Sequence, residues 1–109
     1  MDKPDARGDT CLHYCVRIGN VSLSGVLLEH GARLEQQNRD GETPLHTAIQ
    51  SHQYQAIHFL LRRGHDPNVQ DNRGVTPLMA ASHAGMMDVV DELMQHGADV
   101  STKDRTGME

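Results

Sequence analysis

The stretch that decides the fold lies at residues 40–48, which read DGETPLHTA. Asp40 and Gly41 are typical of a tight turn, because glycine adopts the positive φ that such a turn requires. Thr43 and Pro44 then predict the start of a helix, since threonine caps a helix N-terminus well and proline fits its first position. The stretch therefore predicts a turn that leads directly into a helix.

The residues that follow complete a pair of short helices. Each predicted helix carries apolar residues at i, i+3 and i+4, which places them on one buried face. These residues are Leu45, Ala48 and Ile49 in the first helix, then Ile57, Leu60 and Leu61 in the second. Gly64 follows the second helix and predicts that the helix ends at a residue with left-handed backbone conformation.

This unit recurs along the chain every 33 residues, the separation between Gly8 and Gly41. Four independent ladders keep that step: Gly8, Gly41, Gly74 and Gly107; Gly31, Gly64 and Gly97; Thr10, Thr43 and Thr76; Leu12, Leu45 and Leu78. Self-similarity with a period of roughly 33 residues is typical of stacked repeat proteins. We expect an all-α solenoid with hairpin-like turns between three helix-turn-helix units. It forms a single domain over residues 1–109, with units at about 6–38, 39–71 and 72–104 and partial turns at 1–5 and 105–109.

The units resemble the ankyrin repeat. Residues 40–48 are similar to its opening signature, and residues 60–68, LLRRGHDPN, to its closing half. The third copy repeats both parts at 74–81 and 97–100, and the first copy does so more weakly at 8–13 and 27–32. The resemblance covers nearly all of residues 5–109. It implies a scaffold that binds proteins and is not an enzyme.

Five residues depart from this pattern. Cys11 replaces the proline that opens the first helix, and Met79 replaces the usual histidine. His52 stands where glycine normally ends the first helix, at a cost of roughly 1 kcal/mol if the backbone keeps positive φ. Ser24 interrupts an apolar stripe, and Gly25 lies in mid-helix, where glycine costs about 1 kcal/mol. The first unit is therefore expected to be the loosest.

Composition excludes several classes of function. The chain has 37% hydrophobic residues but only two Tyr, one Phe and no Trp, which argues against a roomy cavity for a small-molecule substrate. Its net charge of −5 argues against binding to nucleic acid or anionic membranes. Apolar runs such as residues 26–28 are too short to insert into a bilayer. Two cysteines and no visible secretory signal predict an intracellular location, cytoplasmic or nuclear.

The chemically reactive side chains are predicted to be structural. Stacked helices lie about 8–10 Å apart, too far for His13 and His46 of neighbouring units to share a zinc ion. The resemblance implies that this histidine forms hydrogen bonds near the preceding threonine. Cys11 and Cys15 could form half a metal site, but Cys15 occupies the place of a small buried alanine in the other copies. We expect no metal, no cofactor and no catalytic residue.

The resemblance implies that the turn tips and the exposed face of each first helix line a concave groove. At the tips the candidate residues are Arg7, Asp9, Arg39, Asp40, Glu42, Asn72, Arg73 and Val75. On the first helices they are Tyr14, Arg17, Thr47, Gln50, Ser51, Ala80 and His83. These places vary between copies while the framework repeats, although ordinary solvated residues would also vary. Tyr14 and the arginines are the strongest candidates, because both residue types are enriched among binding hot spots.

Two functions remain open at this point. The first is a protein-interaction module, monomeric as an isolated fragment; the alternative is a regulatory segment that packs within a larger parent enzyme or channel. The partial turns at both ends favour a fragment of a longer array. The resemblance also implies an asparaginyl hydroxylation site at Asn68, with Leu60 and Asp66 suitably upstream and Pro67 where valine is usual.

Overall fold

The computed structural model describes residues 8–100, and within that range the chain forms six helices and no strand. They are α1 (Cys11–Ile18), α2 (Val21–Glu29), α3 (Pro44–Gln50), α4 (Tyr54–Arg62), α5 (Pro77–His83) and α6 (Met87–Gln95). The first helices of the three pairs start at equivalent places of the repeat, as its constant period predicts. No helix between residues 8 and 100 has the length and apolar character needed to cross a membrane.

Each first helix begins at a threonine. The side chains of Thr10, Thr43 and Thr76 accept a hydrogen bond from the backbone N–H three residues further on, which satisfies a donor that the helix itself leaves unpaired. Pro44 and Pro77 occupy the first turn of α3 and α5, where no N–H is needed. The predicted helix starts are therefore confirmed, and α1 forms although Cys11 stands in the place of the proline.

The first helix of each pair is followed by a residue in the left-handed backbone conformation. Gly19 and Gly85 have φ of 80° and 74° in the first and third pairs, and His52 holds the same place in the second pair with φ of 55°. His52 is the only residue other than glycine with positive φ between residues 8 and 100. The condition on which the cost at His52 depended, a positive φ, is therefore present. A Cβ in this region of backbone conformation is strained.

The three pairs stack side by side around one hydrophobic core. α3 packs between α1 and α5, and α4 packs between α2 and α6, so the helices form two layers. The core runs through all three pairs and includes Leu12, Val16, Leu45, Ile49, Ile57, Leu60, Leu61, Leu78, Val89 and Leu93. Burying apolar side chains between neighbouring units is what stabilises a repeat array. The expected continuous seam is confirmed.

The first pair contributes least to that core. α2 buries only Ser24, whereas α4 buries four residues. The Ser24 hydroxyl donates a hydrogen bond of 2.8 Å to the Asn20 carbonyl, so this polar group is satisfied inside the stack. Leu23 and Val26 are 42% and 47% exposed. α2 thus buries few side chains, and the expectation that the first unit is the loosest stays a prediction.

Candidate functional site

The turn tips are exposed, but their backbone is held firmly. Asn38 accepts hydrogen bonds of 2.9 Å from the backbone N–H groups of Asp40 and Glu42. Asp71 makes the equivalent bonds to Arg73 at 2.8 Å and to Val75 at 2.9 Å. These bonds fix the path of each turn. Arg39, Asp40, Asn72 and Arg73 are exposed, Val75 is half-buried, and Arg7 lies outside the described residues.

Neighbouring turns are also joined to each other. The Asn72 backbone N–H donates to the Asp40 carbonyl at 2.9 Å, and its side-chain amide donates to the Arg39 carbonyl at 2.7 Å. The Gln37 side chain donates to the Gly41 carbonyl at 2.9 Å and to the Gln70 carbonyl of the next turn at 3.2 Å. Sequence reasoning missed this glutamine ladder. Its signal was present in the repeat itself, since Gln37 and Gln70 are equivalent residues of adjacent units.

Two predicted surface residues at the tips are buried instead. Asp9 and Glu42 are 5% and 9% exposed, so the expectation that they lie on the surface is wrong. The Asn38 amide lies between them and donates to Asp9 at 2.9 Å and to Glu42 at 3.2 Å. Buried carboxylates require such partners.

These two carboxylates position side chains of the first helices. Asp9 forms an ion pair with Arg17, and Glu42 accepts a hydrogen bond of 2.8 Å from Gln50. Burial alone would raise the pKa of Asp9, but the hydrogen bonds from Asn38 and Arg17 outweigh it, so its pKa lies below the ordinary value. Asp9 is therefore a carboxylate at neutral pH. Its role is to hold the guanidinium of Arg17 in place.

Thr47 is the third buried residue among the predicted surface positions. It is 1% exposed, and its hydroxyl has no hydrogen-bond partner among residues 8–100. Tyr14, at the equivalent position of the first pair, is 59% exposed. The difference follows from stacking, because α1 packs on α3 and covers the side of that helix that carries Thr47. The expectation that Thr47 is exposed is therefore wrong.

The remaining candidates on the first helices are accessible to different degrees. Tyr14, Gln50 and His83 are exposed, whereas Arg17, Ser51 and Ala80 are half-buried. Arg17, Gln50 and His83 are equivalent residues of α1, α3 and α5, so they form one row along the stack. In the third pair, Val75 occupies the place that Asp9 and Glu42 have in the first two pairs. His83 therefore has no carboxylate at that place to hold it.

The buried histidines have structural roles, as expected. His13 Nε2 lies 2.8 Å from the Glu42 carbonyl, and His46 Nε2 lies 2.8 Å from the Val75 carbonyl. A carbonyl can only accept, so Nε2 carries the proton and Nδ1 accepts from the preceding threonine N–H. Burial lowers the pKa of both rings, although the bond to the carbonyl opposes this. Each neutral ring thus ties one unit to the next turn.

His65 is a further buried histidine, and sequence reasoning missed it. It is 2% exposed, its Nδ1 lies 2.9 Å from the Asp66 carbonyl, and its Nε2 has no partner among residues 8–100. Burial lowers the pKa of His65. The equivalent residues Ala32 and Ala98 are small, so comparing the copies could have shown that this site was unusual.

Neither Cys11 nor Cys15 forms a disulfide within residues 8–100. Cys15 is buried, as its alignment with alanine predicted, and burial raises the pKa of its thiol, with a smaller contribution from Cys11. Thiols with raised pKa are poor nucleophiles. Among residues 8–100, no three His, Cys, Asp or Glu side chains come together as a metal site would require.

Asn68 joins the second and third units. Its side-chain amide donates to the Gly97 carbonyl at 3.1 Å, and its side-chain oxygen accepts from the Asp99 N–H at 2.7 Å. Glu35 does the same one unit earlier by accepting from the Asp66 N–H at 2.7 Å. Hydroxylation of Asn68 stays a prediction. The contacts show that this side chain has a structural role.

Comparison with known families gives two matches. A family model described as ankyrin repeats (3 copies) matches residues 1–71, and one described as ankyrin repeat matches residues 73–105. No curated protein matches the chain. The two matches together cover nearly the whole sequence, and the stacked helix pairs described above are the fold that they imply.

Proposed function

This chain belongs to the ankyrin repeat family, and from that premise we propose that it binds a protein partner through its turn tips and the exposed row on its first helices. Ankyrin repeats are generally protein-interaction modules. The proposed surface consists of Arg39, Asp40, Asn72 and Arg73 at the tips, and of Tyr14, Arg17, Gln50 and His83 on the helices. We call it the concave surface. An intracellular location and a monomeric state stay predictions.

One feature carries this proposal: exposed side chains project from a backbone that is already fixed. Asn38 and Asp71 hold the two turns, and Asn72 joins one turn to the next. Association costs free energy when flexible loops and side chains become ordered, so a surface fixed in advance loses less on binding. The turns are suited to recognition for that reason.

The chemistry of the concave surface favours a polypeptide partner. Arg39, Asp40 and Arg73 present both signs of charge within two adjacent turns, which suits a protein surface better than a uniformly anionic polymer. Arg17 and Gln50 are held by buried carboxylates, and both have N–H groups that can donate. The partner is therefore expected to present backbone carbonyls and carboxylates to this row.

The test compares partner capture by variants of the chain. Wild-type protein and the double variant Arg39→Glu/Arg73→Glu are immobilised, and the proteins they retain from a cell extract are quantified by mass spectrometry. Because both side chains lie on exposed tips, the double variant should keep its far-UV circular dichroism. Proteins that bind the concave surface should be depleted by roughly tenfold or more, the range expected for hot-spot residues.

Arg33→Glu is the matched control, since Arg33 is exposed and lies outside the tips and the helix row. It makes the same change of charge per residue. A protein depleted by the double variant and retained by Arg33→Glu supports the concave surface as its binding site. If every captured protein responds equally to both variants, or to neither, the tips are not the site.

A further inference from the structure

A shallow groove lies in the layer of second helices, between α2 and α4. It is open to solvent and has a volume of about 470 Å³. We call it the outer groove. The side chains that line it are Val21, Gln55, His58, Phe59, Arg62 and Arg63. None of them belongs to the concave surface.

Gly25, at the centre of α2, lies beside two residues that line the outer groove. A Cβ at Gly25 would lie 3.7 Å from the Phe59 ring and 3.7 Å from the Arg63 guanidinium, which is ordinary contact. Gly25 does not have positive φ either, so neither space nor backbone conformation requires glycine here. Glycine weakens a helix interior relative to alanine. The Phe59 ring beside Gly25 is half-buried.

The next boundary in the same layer, between α4 and α6, is bridged by a side-chain contact. His58 and Asp91 stand at the places equivalent to Gly25 in α4 and α6, and the imidazole of His58 contacts the carboxylate of Glu92 across the two helices. Within the described part of the chain no pair of side chains at salt-bridge distance joins α2 to α4. The outer groove therefore lies at the boundary that lacks such a pair.

The rim of the outer groove is basic although the chain has a net charge of −5. Arg62 and Arg63 are exposed, and within residues 8–100 no carboxylate lies at salt-bridge distance from either, Glu29 of α2 included. The Arg63 guanidinium stacks on Phe59, with 5.2 Å from its central carbon to the ring centroid. An aromatic floor and two available guanidinium groups therefore lie side by side.

We propose that the outer groove is a second docking surface, which binds an acidic segment of a partner protein that carries an aromatic or long aliphatic side chain. That side chain lies over Gly25 against Phe59. Carboxylates on either side of it accept hydrogen bonds from Arg62 and Arg63, whose planar groups suit bidentate pairing. Charge complementarity selects an acidic segment over a basic or neutral one. With the concave surface on the first helices, the chain could hold two partners at once.

A labelled synthetic peptide tests this proposal directly. The probe is a fluorescein-labelled peptide with a Leu-Phe pair flanked by Asp and Glu, and its binding to the full chain is followed by fluorescence anisotropy. Gly25→Met should fill the groove and weaken binding by roughly tenfold or more, because it removes a central contact. The same variant should not lower the melting temperature, since methionine favours a helix interior over glycine. Loss of binding therefore cannot be attributed to unfolding.

Matched variants separate the groove from other surfaces. Gln95→Met places the same side chain on exposed α6 and should bind the probe like wild type. Arg62→Glu should weaken binding, whereas Arg33→Glu, with the same change of charge, should have little effect. The Arg39→Glu/Arg73→Glu variant should retain probe binding, which distinguishes this surface from the concave surface.

Several results would overturn the proposal. Equal binding by Gly25→Met and wild type would show that the groove is not used. Equal binding of a peptide with Lys in place of Asp and Glu, or with Ala in place of Leu-Phe, would remove the assigned chemistry. Self-association that disappears in Arg62→Glu would assign the groove to a second copy of the chain.

Discussion

His52→Gly is expected to stabilise the protein. His52 adopts φ of 55°, where Gly19 and Gly85 of the other pairs have 80° and 74°. A Cβ in the left-handed region costs about 1–2 kcal/mol. Glycine removes that cost but loses about 0.5–1 kcal/mol more backbone entropy on folding. The net expectation is a gain of about 1 kcal/mol in the free energy of unfolding, because the exposed imidazole makes no hydrogen bond within residues 8–100 that the variant would lose.

Thermal and urea unfolding measure this gain. For a chain of 109 residues, about 1 kcal/mol corresponds to a rise of about 4 °C in melting temperature. His52→Ala keeps a Cβ and should give no comparable gain. Gly85→Ala makes the reverse change in the third pair, where no atom of residues 8–100 crowds the added Cβ, and should lose about 1 kcal/mol. If His52→Ala stabilises as much as His52→Gly, or if Gly85→Ala is neutral, backbone strain is not the cause.

Three further predictions concern buried or bridging polar groups. Thr47→Val should raise the free energy of unfolding by about 1 kcal/mol in urea denaturation, because the buried hydroxyl has no partner among residues 8–100; a loss would contradict this. Burial lowers the pKa of His13, His46 and His65, so below about pH 6.5 the unfolded chain binds more protons than the folded chain. The free energy of unfolding should therefore fall as the pH is lowered. Each histidine contributes at most about 1.4 kcal/mol to this fall for each pH unit. Urea midpoints that are unchanged between about pH 7 and pH 5 would refute it. Protein from its native source should carry one added oxygen at Asn68 by peptide mass spectrometry, and an unmodified peptide would dispose of that proposal.

Local signals in the sequence predicted the framework correctly. The helix starts at Thr10 and Thr43 and the burial of Cys15 depend on a residue and its near neighbours. The constant repeat period then fixes which helix lies beside which. The family resemblance implied the hydrogen bonding of His13 near Thr10, but not its bond to the Glu42 carbonyl, which is distant in sequence.

Exposure was harder to predict, because it depends on the neighbouring unit. Tyr14 and Thr47 are equivalent in sequence, yet one is 59% and the other 1% exposed. Asp9 and Glu42 looked like surface carboxylates, and only the position of Asn38 between them showed why they are buried. The outer groove was missed for a related reason. Gly25 was predicted to be a weak point of α2, whereas its position beside Phe59 depends on how α2 packs on α4.

The residues of the concave surface differ in whether their exposure depends on a neighbouring unit. Tyr14 is exposed because no helix pair covers that side of α1 within residues 8–100. Arg17, Gln50 and His83 keep access to solvent in all three pairs, so their exposure follows from the scaffold itself. A partner that binds along the whole length of the array must contact positions that are exposed in every helix pair. The row from Arg17 to His83 is therefore a better candidate for the centre of the interface than Tyr14, although tyrosine is the more frequent hot-spot residue.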